Sequence, residues 1–444
     1  MMKRNLARPA VAGTALSLLA VLAACSRAPV RPNPSGAIAL LGSSGAASTA
    51  RADLDRTVAT MEARLAKDPS DVTAAVTLAD ALVRQTRVTG NAGLVMRAEQ
   101  ALGGVLAHDA HNYDARRMLS AVFLSQHRFR EAIREAERCH QVRDNDAWIY
   151  GALGDAHIEL GEYPAAFAAF DKMTALRPNA ASYARASYAR ELGGDLNGAL
   201  RFMRMAAEAT SPQDPESLAW HYAQLGHLHF EMGDLDNATR EYAHAAYAFP
   251  GHPFASDGMA RVKAARGDYA GALAIVMARL AAAPTPAEAA FAGDLLAALG
   301  RRDEAERQYR LAEAAWRVDA PEPSRLARFL AEHTRRVDEA VRLAEQVSTD
   351  RHDIFTADAL AWAYFQAGQL TKAHAASEQA RRTGSRDREI LYHAAAIDRA
   401  MGHLGAARTL AADALDHAPH FDLVSAPAAA ALLQSLGPPT VGGR

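Results

Sequence analysis

Cysteine is almost missing: Cys25 and Cys139 are the only two in 444 residues. Two thiols cannot build a disulfide framework, so the fold has to stand on packing. Aromatic residues are scarce as well, at 7%. Runs of Val and Ile in period-two alternation, the mark of strands, are nearly absent. Lysine thins out after the first few residues to Lys67, Lys172, Lys263 and Lys372, so positive charge is carried by Arg. Motifs that carry chemistry are missing too. There is no His-Glu-x-x-His, no phosphate loop ending in Gly-Lys-Ser/Thr, no Gly-x-Ser-x-Gly and no paired Cys-x-x-Cys. The chain therefore reads as a non-enzyme with no cofactor. What remains is alanine-rich apolar sequence, 50% hydrophobic overall. Alanine loses no side-chain entropy in a helix, so the fold class is all-α.

The formal charge is −2. The first 24 residues hold Lys3, Arg4 and Arg8 and no acid; without them 46 basic face 51 acidic residues, a net of −5. That balance gives no electrostatic reason to expect nucleic acid. The same 24 residues have the parts of an export signal: the three cations, an apolar run from Ala10 to Leu22, then small residues. The run is short for a membrane-spanning helix. It ends in Leu22-Ala23-Ala24-Cys25, which resembles the bacterial lipoprotein lipobox. The resemblance implies cleavage before Cys25 and a lipid on its sulfur and new N-terminus. Two or three acyl chains, at about 0.8 kcal/mol per buried CH2, hold a protein stably on a membrane. With Cys25 acylated, Cys139 has no partner and is expected buried and inert. Ser26 follows where Asp would resemble an inner-membrane retention signal, so the expected location is the envelope, lipid-anchored to an outer membrane facing the periplasm if the source is Gram-negative. Residues 25–50, rich in Pro, Gly and Ser, read as a tether.

The dominant signal from there on is self-similarity. Glycines recur with similar neighbours at 161, 194, 233, 267, 300, 368 and 402, spaced by 33, 39, 34, 33, 68 and 34 residues. Five residues after each stands an alanine: Ala166, Ala199, Ala238, Ala272, Ala305, Ala373 and Ala407. The gap of 68 is two periods, filled by a degenerate unit with Arg336, Val337 and Ala340 in phase. The 39 holds an insertion around Ser211–Pro215. Two units are fullest. One reads Tyr150, Leu153, Gly154, His157, Ala166, Phe170, Pro178, and the other Tyr222, Leu225, Gly226, His229, Ala238, Tyr242, Pro250. This pattern resembles the tetratricopeptide repeat, with His where Tyr is usual. Further units run from Leu78, Leu119, Met259, Gly293, Leu360 and Ala394.

The resemblance implies a right-handed superhelical solenoid of about ten helix-turn-helix units over residues 51–421. Leu54–Leu65 would cap its start, and residues 422–444 would form a capping helix and a tail. Each unit hides its apolar face only against its neighbours. In this family the first helices of the units line a concave groove. Carried over by phase, the groove residues are Trp148, Asp155, Ile158 and Tyr188, then Trp220, His227, Phe230 and Phe254, then Arg261, Trp362, Phe365, Tyr392 and Arg399. Trp and Tyr give large contact area with few torsions to freeze, which suits a binding wall. The clamp positions for an acidic C-terminal tail hold Gly151, Ala184, Ala223 and Asp257, which excludes that ligand. His221, His227 and His229 do not share a helix face, and His417 and His420 flank Pro419, so no metal site is expected. Asp144-Asn145-Asp146 reads as a turn and helix cap. The expected role is a membrane-anchored scaffold holding envelope proteins or peptide segments, as in secretion, pilus, polysaccharide-export or cell-wall assemblies. A glycan- or solute-binding groove with stacking Trp residues is the alternative.

Overall fold

Alanine at the crossing points decides how closely the helices approach. In the computed structural model, which describes residues 51–89, 91, 93–318 and 323–437, the described residues form 22 helices and no strand. The expected signal segment, Cys25, the tether and residues 438–444 lie outside the described residues. A single helix, α1 (Arg51–Leu65), leads the array. Ten antiparallel pairs follow. Pairs 1 to 3 are α2 (Val72–Thr89) with α3 (Gly93–His108), α4 (Tyr113–Ser125) with α5 (Phe129–Val142), and α6 (Ala147–Glu159) with α7 (Tyr163–Leu176). Pairs 4 and 5 are α8 (Ala180–Leu192) with α9 (Leu196–Glu208), and α10 (Pro215–Glu231) with α11 (Leu235–Ala248). Pairs 6 and 7 are α12 (Pro253–Ala265) with α13 (Tyr269–Ala282), and α14 (Pro286–Ala298) with α15 (Arg302–Val318). Pair 8 joins α16 (Pro323–Glu332) to α17 (Val337–Val347), and pair 9 joins α18 (Ile354–Gln366) to α19 (Leu370–Arg381). Pair 10 is α20 (Arg388–Ala400) with α21 (Leu404–Leu415), and α22 (Ser425–Ser435) closes the end. No helix among the described residues is long and apolar enough to cross a membrane.

Each pair has the same internal construction. The alanine early in the second helix is buried in all ten, from Ala98 and Ala132 through Ala340 to Ala407. A larger side chain there would push the two helices apart. In pairs 3, 5 and 7 a glycine of the first helix also receives an aromatic ring from the second: a Cβ on Gly226 would lie 2.8 Å from the Tyr242 ring. The same ring packs on Gly258 of the next pair, so Tyr242 fills the seam between pairs 5 and 6.

The turn inside each of pairs 2 to 10 is a Schellman motif. In pair 3, Glu162 N–H donates to His157 carbonyl (2.8 Å) and Gly161 N–H to Ile158 carbonyl (2.9 Å), with Gly161 at φ +73°. The same two bonds recur around Gly233 and Gly402. Pairs 2 and 8 make this turn without glycine: His127 (φ 57°) and Thr334 (φ 52°) take the left-handed position. The first helices also begin on side-chain caps. Asp146 accepts from Trp148 N–H, Asn179 and Ser182 form a capping box, and Asp353 accepts from Phe355 and Thr356 N–H.

A second level of order joins pairs far apart in sequence. In pairs 3, 4 and 5 the turn sits on the loop that follows the pair five further on. Around pair 3, Tyr163 hydroxyl accepts from Ile354 N–H (2.8 Å), Arg351 reaches Glu159 (2.9 Å), and Arg382 donates to Gly161 carbonyl (3.2 Å). Gly194 in pair 4 meets the Gly384 carbonyl beyond pair 9. Gly233 in pair 5 meets the His417 carbonyl beyond pair 10. Arg388 locks that last contact by donating to Glu231 carbonyl (2.9 and 2.6 Å) and to Ala414 carbonyl (2.9 Å). An apolar cluster containing Ile158, Tyr163, Phe170, Leu192, Ile354 and Ile390 underlies the contact. One turn of the superhelix is thus seated on the turn before it. Glycine serves here because the distant backbone comes where a Cβ would be.

Candidate functional site

The first helices of the pairs face inward, and the inner wall is packed. Of the thirteen residues assigned to a groove by phase, eight are buried: Trp148, Asp155, Ile158, Trp220, His227, Phe230, Arg261 and Trp362. Tyr188, Phe254, Phe365 and Tyr392 are half-buried, and Arg399 is exposed. The wall is therefore not the open aromatic surface that the sequence pattern suggests. Neighbouring pairs with alanine-rich inner helices cover the wall. Phe254 packs against three apolar clusters, those that contain Trp220, Tyr242 and Ala287. Arg117 covers the Trp148 ring at 4.4 Å, and Trp362 stacks on His393 with centroids 4.0 Å apart. Neither ring presents an open face to a sugar.

Polar side chains on the inner wall are matched between neighbouring pairs. Arg185 of pair 4 grips Asp155 of pair 3 with both arms of its guanidinium, Nε to Oδ1 at 2.9 Å and Nη2 to Oδ2 at 2.6 Å. Burial pushes the Asp155 carboxyl up to about 7, with Arg185 pulling against it. His393 of pair 10 lies 2.9 Å from Asp358 of pair 9, and Arg279 reaches Glu288 across pairs 6 and 7 at 2.9 Å. Asp155, Tyr188, His227, Arg261 and Trp362 share one register, six residues before the left-handed turn residue. Asp294 and Arg328 hold the same register and were missed by the sequence pattern. Asp294 accepts from Tyr309 hydroxyl (2.7 Å), and Arg328 pairs with Glu332 (2.6 Å) and Glu389. Counting back from Gly300 would have found Asp294. Arg328 was hidden because its pair turns at Thr334.

α10, at the middle of the array, is the most enclosed inner helix: from Glu216 onward only Leu218 and Tyr222 keep partial exposure. It is also where polar matching fails. Trp220 Nε1, Gln224 Nε2 and His227 Nδ1 are buried and find no hydrogen-bond partner among the described residues. Positions 220, 224 and 227 follow i, i+4, i+7 and so form one stripe on the helix. The other His227 nitrogen lies 3.3 Å from Glu191 of pair 4. A buried polar atom without a partner costs about 1–3 kcal/mol, so the stripe marks a place built for a polar ligand: Trp220 and Gln224 offer N–H donors, and His227, with its other N–H turned to Glu191, offers an acceptor. His221 points elsewhere: its Nδ1 is 3.1 Å from Thr210 hydroxyl, and burial pushes its ring down to about 3. The histidines in the usual Tyr position, His157 and His229, lie across their turns from Glu162 (2.5 Å) and Asp234 (3.3 Å).

Residues 222–252, which run from α10 through α11 to the start of the next pair, match the tetratricopeptide repeat. That unit is similar to a tetratricopeptide repeat. Its turn, its buried alanine and its pairing of helices recur along the array, and the described residues form an all-α helical-repeat solenoid. Solved structures similar to this solenoid include yeast Tom70, at 13% identity over 87% of this chain and 85% of that one, with a TM-score of 0.37. The APC/C hetero-tetramer Cut9-Hcn1 covers 86% of this chain and 92% of its own at 14% identity and a TM-score of 0.33. MamA covers 45% of this chain and 96% of its own at 17% identity and a TM-score of 0.28. No curated protein matches the chain.

Proposed function

We propose that this tetratricopeptide solenoid is a membrane-tethered scaffold that holds a protein segment against the inner face of α10, and is not an enzyme. The observation that carries the reading is the stripe of Trp220 Nε1, Gln224 Nε2 and His227 Nδ1, buried atoms with no hydrogen-bond partner among the described residues. An extended peptide supplies both carbonyls, for Trp220 and Gln224, and N–H groups, for His227, and entry needs the turn-on-turn seating to loosen. The tether is the lipid on Cys25 that the Leu22-Ala23-Ala24-Cys25 resemblance implies, and an envelope assembly is the setting. The test uses solubilised envelope and two baits, the wild type and a Gln224→Ala/His227→Ala variant. A discrete partner held by the wild type and lost from the variant is the expected result. The same set of captured proteins on both baits refutes the assignment of α10. For the anchor, Cys25→Ser should move the protein from the membrane pellet to the soluble fraction; unchanged pelleting refutes the lipid.

A further inference from the structure

At the far end of the array, three metal-ligating side chains from two successive pairs meet. Asp398 is in the last turn of α20 and His403 follows the left-handed Gly402. The Schellman turn fixes them side by side, with His403 N–H donating to Asp398 carbonyl at 2.8 Å. Elsewhere the same register holds simple pairs, His157 with Glu162, His229 with Asp234 and Lys263 with Asp268. In pair 10 a third group joins, His374 from α19 of the preceding pair. Asp398 Oδ1 lies 3.2 Å from His374 Nδ1 and 3.2 Å from His403 Nδ1. One ligand atom from each residue lies within 4.8 Å of the others.

We propose that His374, Asp398 and His403 bind one divalent cation of the zinc class, and that the ion staples pair 9 to pair 10. Three observations carry this. First, tetrahedral zinc with bonds of 2.0–2.1 Å sets its ligands about 3.3 Å apart, which two of the three edges already match. The third edge ends on His403, whose side chain is half exposed and has room to close it. Second, His374 Nδ1 is buried 3.2 Å from Asp398 Oδ1 without a hydrogen bond among the described residues, so a ligand for this nitrogen is wanting. Third, the opposite nitrogen, His374 Nε2, lies 3.9 Å from Glu378 Oε1 one helical turn on. That is beyond hydrogen-bond reach, and a rotamer change of the exposed Glu378 side chain would bring its carboxylate behind the ring, the arrangement that holds the tautomer leaving the other nitrogen free for metal. Two imidazoles and a carboxylate suit zinc better than a hard cation such as calcium or magnesium, which takes oxygen ligands. The remaining position opens to solvent and takes water.

The test is calorimetric titration of the chelator-stripped full chain, free of any affinity tag, with zinc chloride alone. One site per chain is expected, with binding lost in His403→Ala and in Asp398→Asn and restored in His403→Cys. Glu378→Gln is expected to weaken binding about tenfold through the ligand behind it. His417→Ala, an exposed histidine outside the cluster, should bind as the wild type does, and circular dichroism should show every variant folded. Absence of a one-to-one site in the folded wild type overturns the proposal. So does a site that survives His403→Ala.

Discussion

Adding a single methyl at Gly233 tests whether the superhelix is seated on itself. Gly233 has φ +77°, and so does Gly300; Gly267 has φ +80°. Alanine in the left-handed region costs about 1–2 kcal/mol wherever it stands. At Gly267 and Gly300 a Cβ meets nothing within 4 Å, so that cost is the whole effect. At Gly233 the Cβ would lie 2.6 Å from the His417 carbonyl carbon and closer still to its oxygen. Ordinary contact needs the two backbones to part by about 1 Å. Parting by that much takes the Arg388 bonds to Glu231, now 2.9 and 2.6 Å, towards or past the limit of a hydrogen bond. Bonds from a charged donor contribute about 1.5–3 kcal/mol. Gly233→Ala should therefore destabilise by about 3–5 kcal/mol, against about 1–2 for Gly267→Ala. Amide hydrogen exchange reads the site directly: residues 416–424 should lose protection in Gly233→Ala and keep it in Gly267→Ala. Equal destabilisation by the two variants, with exchange at 416–424 unchanged in both, would refute the seating of pair 5 on the end of pair 10.

The remaining predictions concern buried polar groups. His221 is held neutral, with its folded value near 3 and its unfolded value near 6.5, so stability is full above pH 6.5 and falls as pH drops towards 3. Between pH 6.5 and 4.5 this amounts to about 2–3 kcal/mol, and the urea midpoint of His221→Gln should lose correspondingly less over that range than the wild type; parallel slopes would contradict it. Removing Arg185 alone should cost about 3–5 kcal/mol by stranding Asp155, whereas Asp155→Leu combined with Arg185→Met should cost far less, as urea unfolding of the three variants will show. Burial pushes the Cys139 thiol up to about 11, so alkylation at neutral pH should be slow in the folded chain and become fast at the denaturant concentration that opens pair 2.

The repeat was legible in the sequence because its parts are local. A glycine, and an alanine five residues on, report a Schellman turn and a helix crossing inside one pair, and both were where the spacing put them. Pairs 2 and 8 were harder because His127 and Thr334 make the left-handed turn at some strain, without the residue that advertises it. The inner wall was misjudged for a different reason. Whether Trp220 or Arg261 faces an opening depends on how closely the neighbouring pairs pack, and the turns themselves meet partners far off, since the contacts between residues 159–163 and 351–354 join positions some 190 apart in the chain. No short pattern encodes such a meeting. The cluster of His374, Asp398 and His403 escaped notice likewise, since its members come from two pairs and share no motif spacing.

An open array of repeats can gain or lose a unit with little harm, because every unit sees only the next. Here the fivefold offset forbids that freedom. If one pair between the fifth and the eighth were deleted, the Gly161 bend would confront the Gly384 segment instead of His352, and Gly194 would confront His417. Arg388 would no longer come beneath the Glu231 carbonyl. The number of repeats in the middle of this protein is therefore fixed by its own contacts, and pairs should be easier to add or remove at the two extremities than between them.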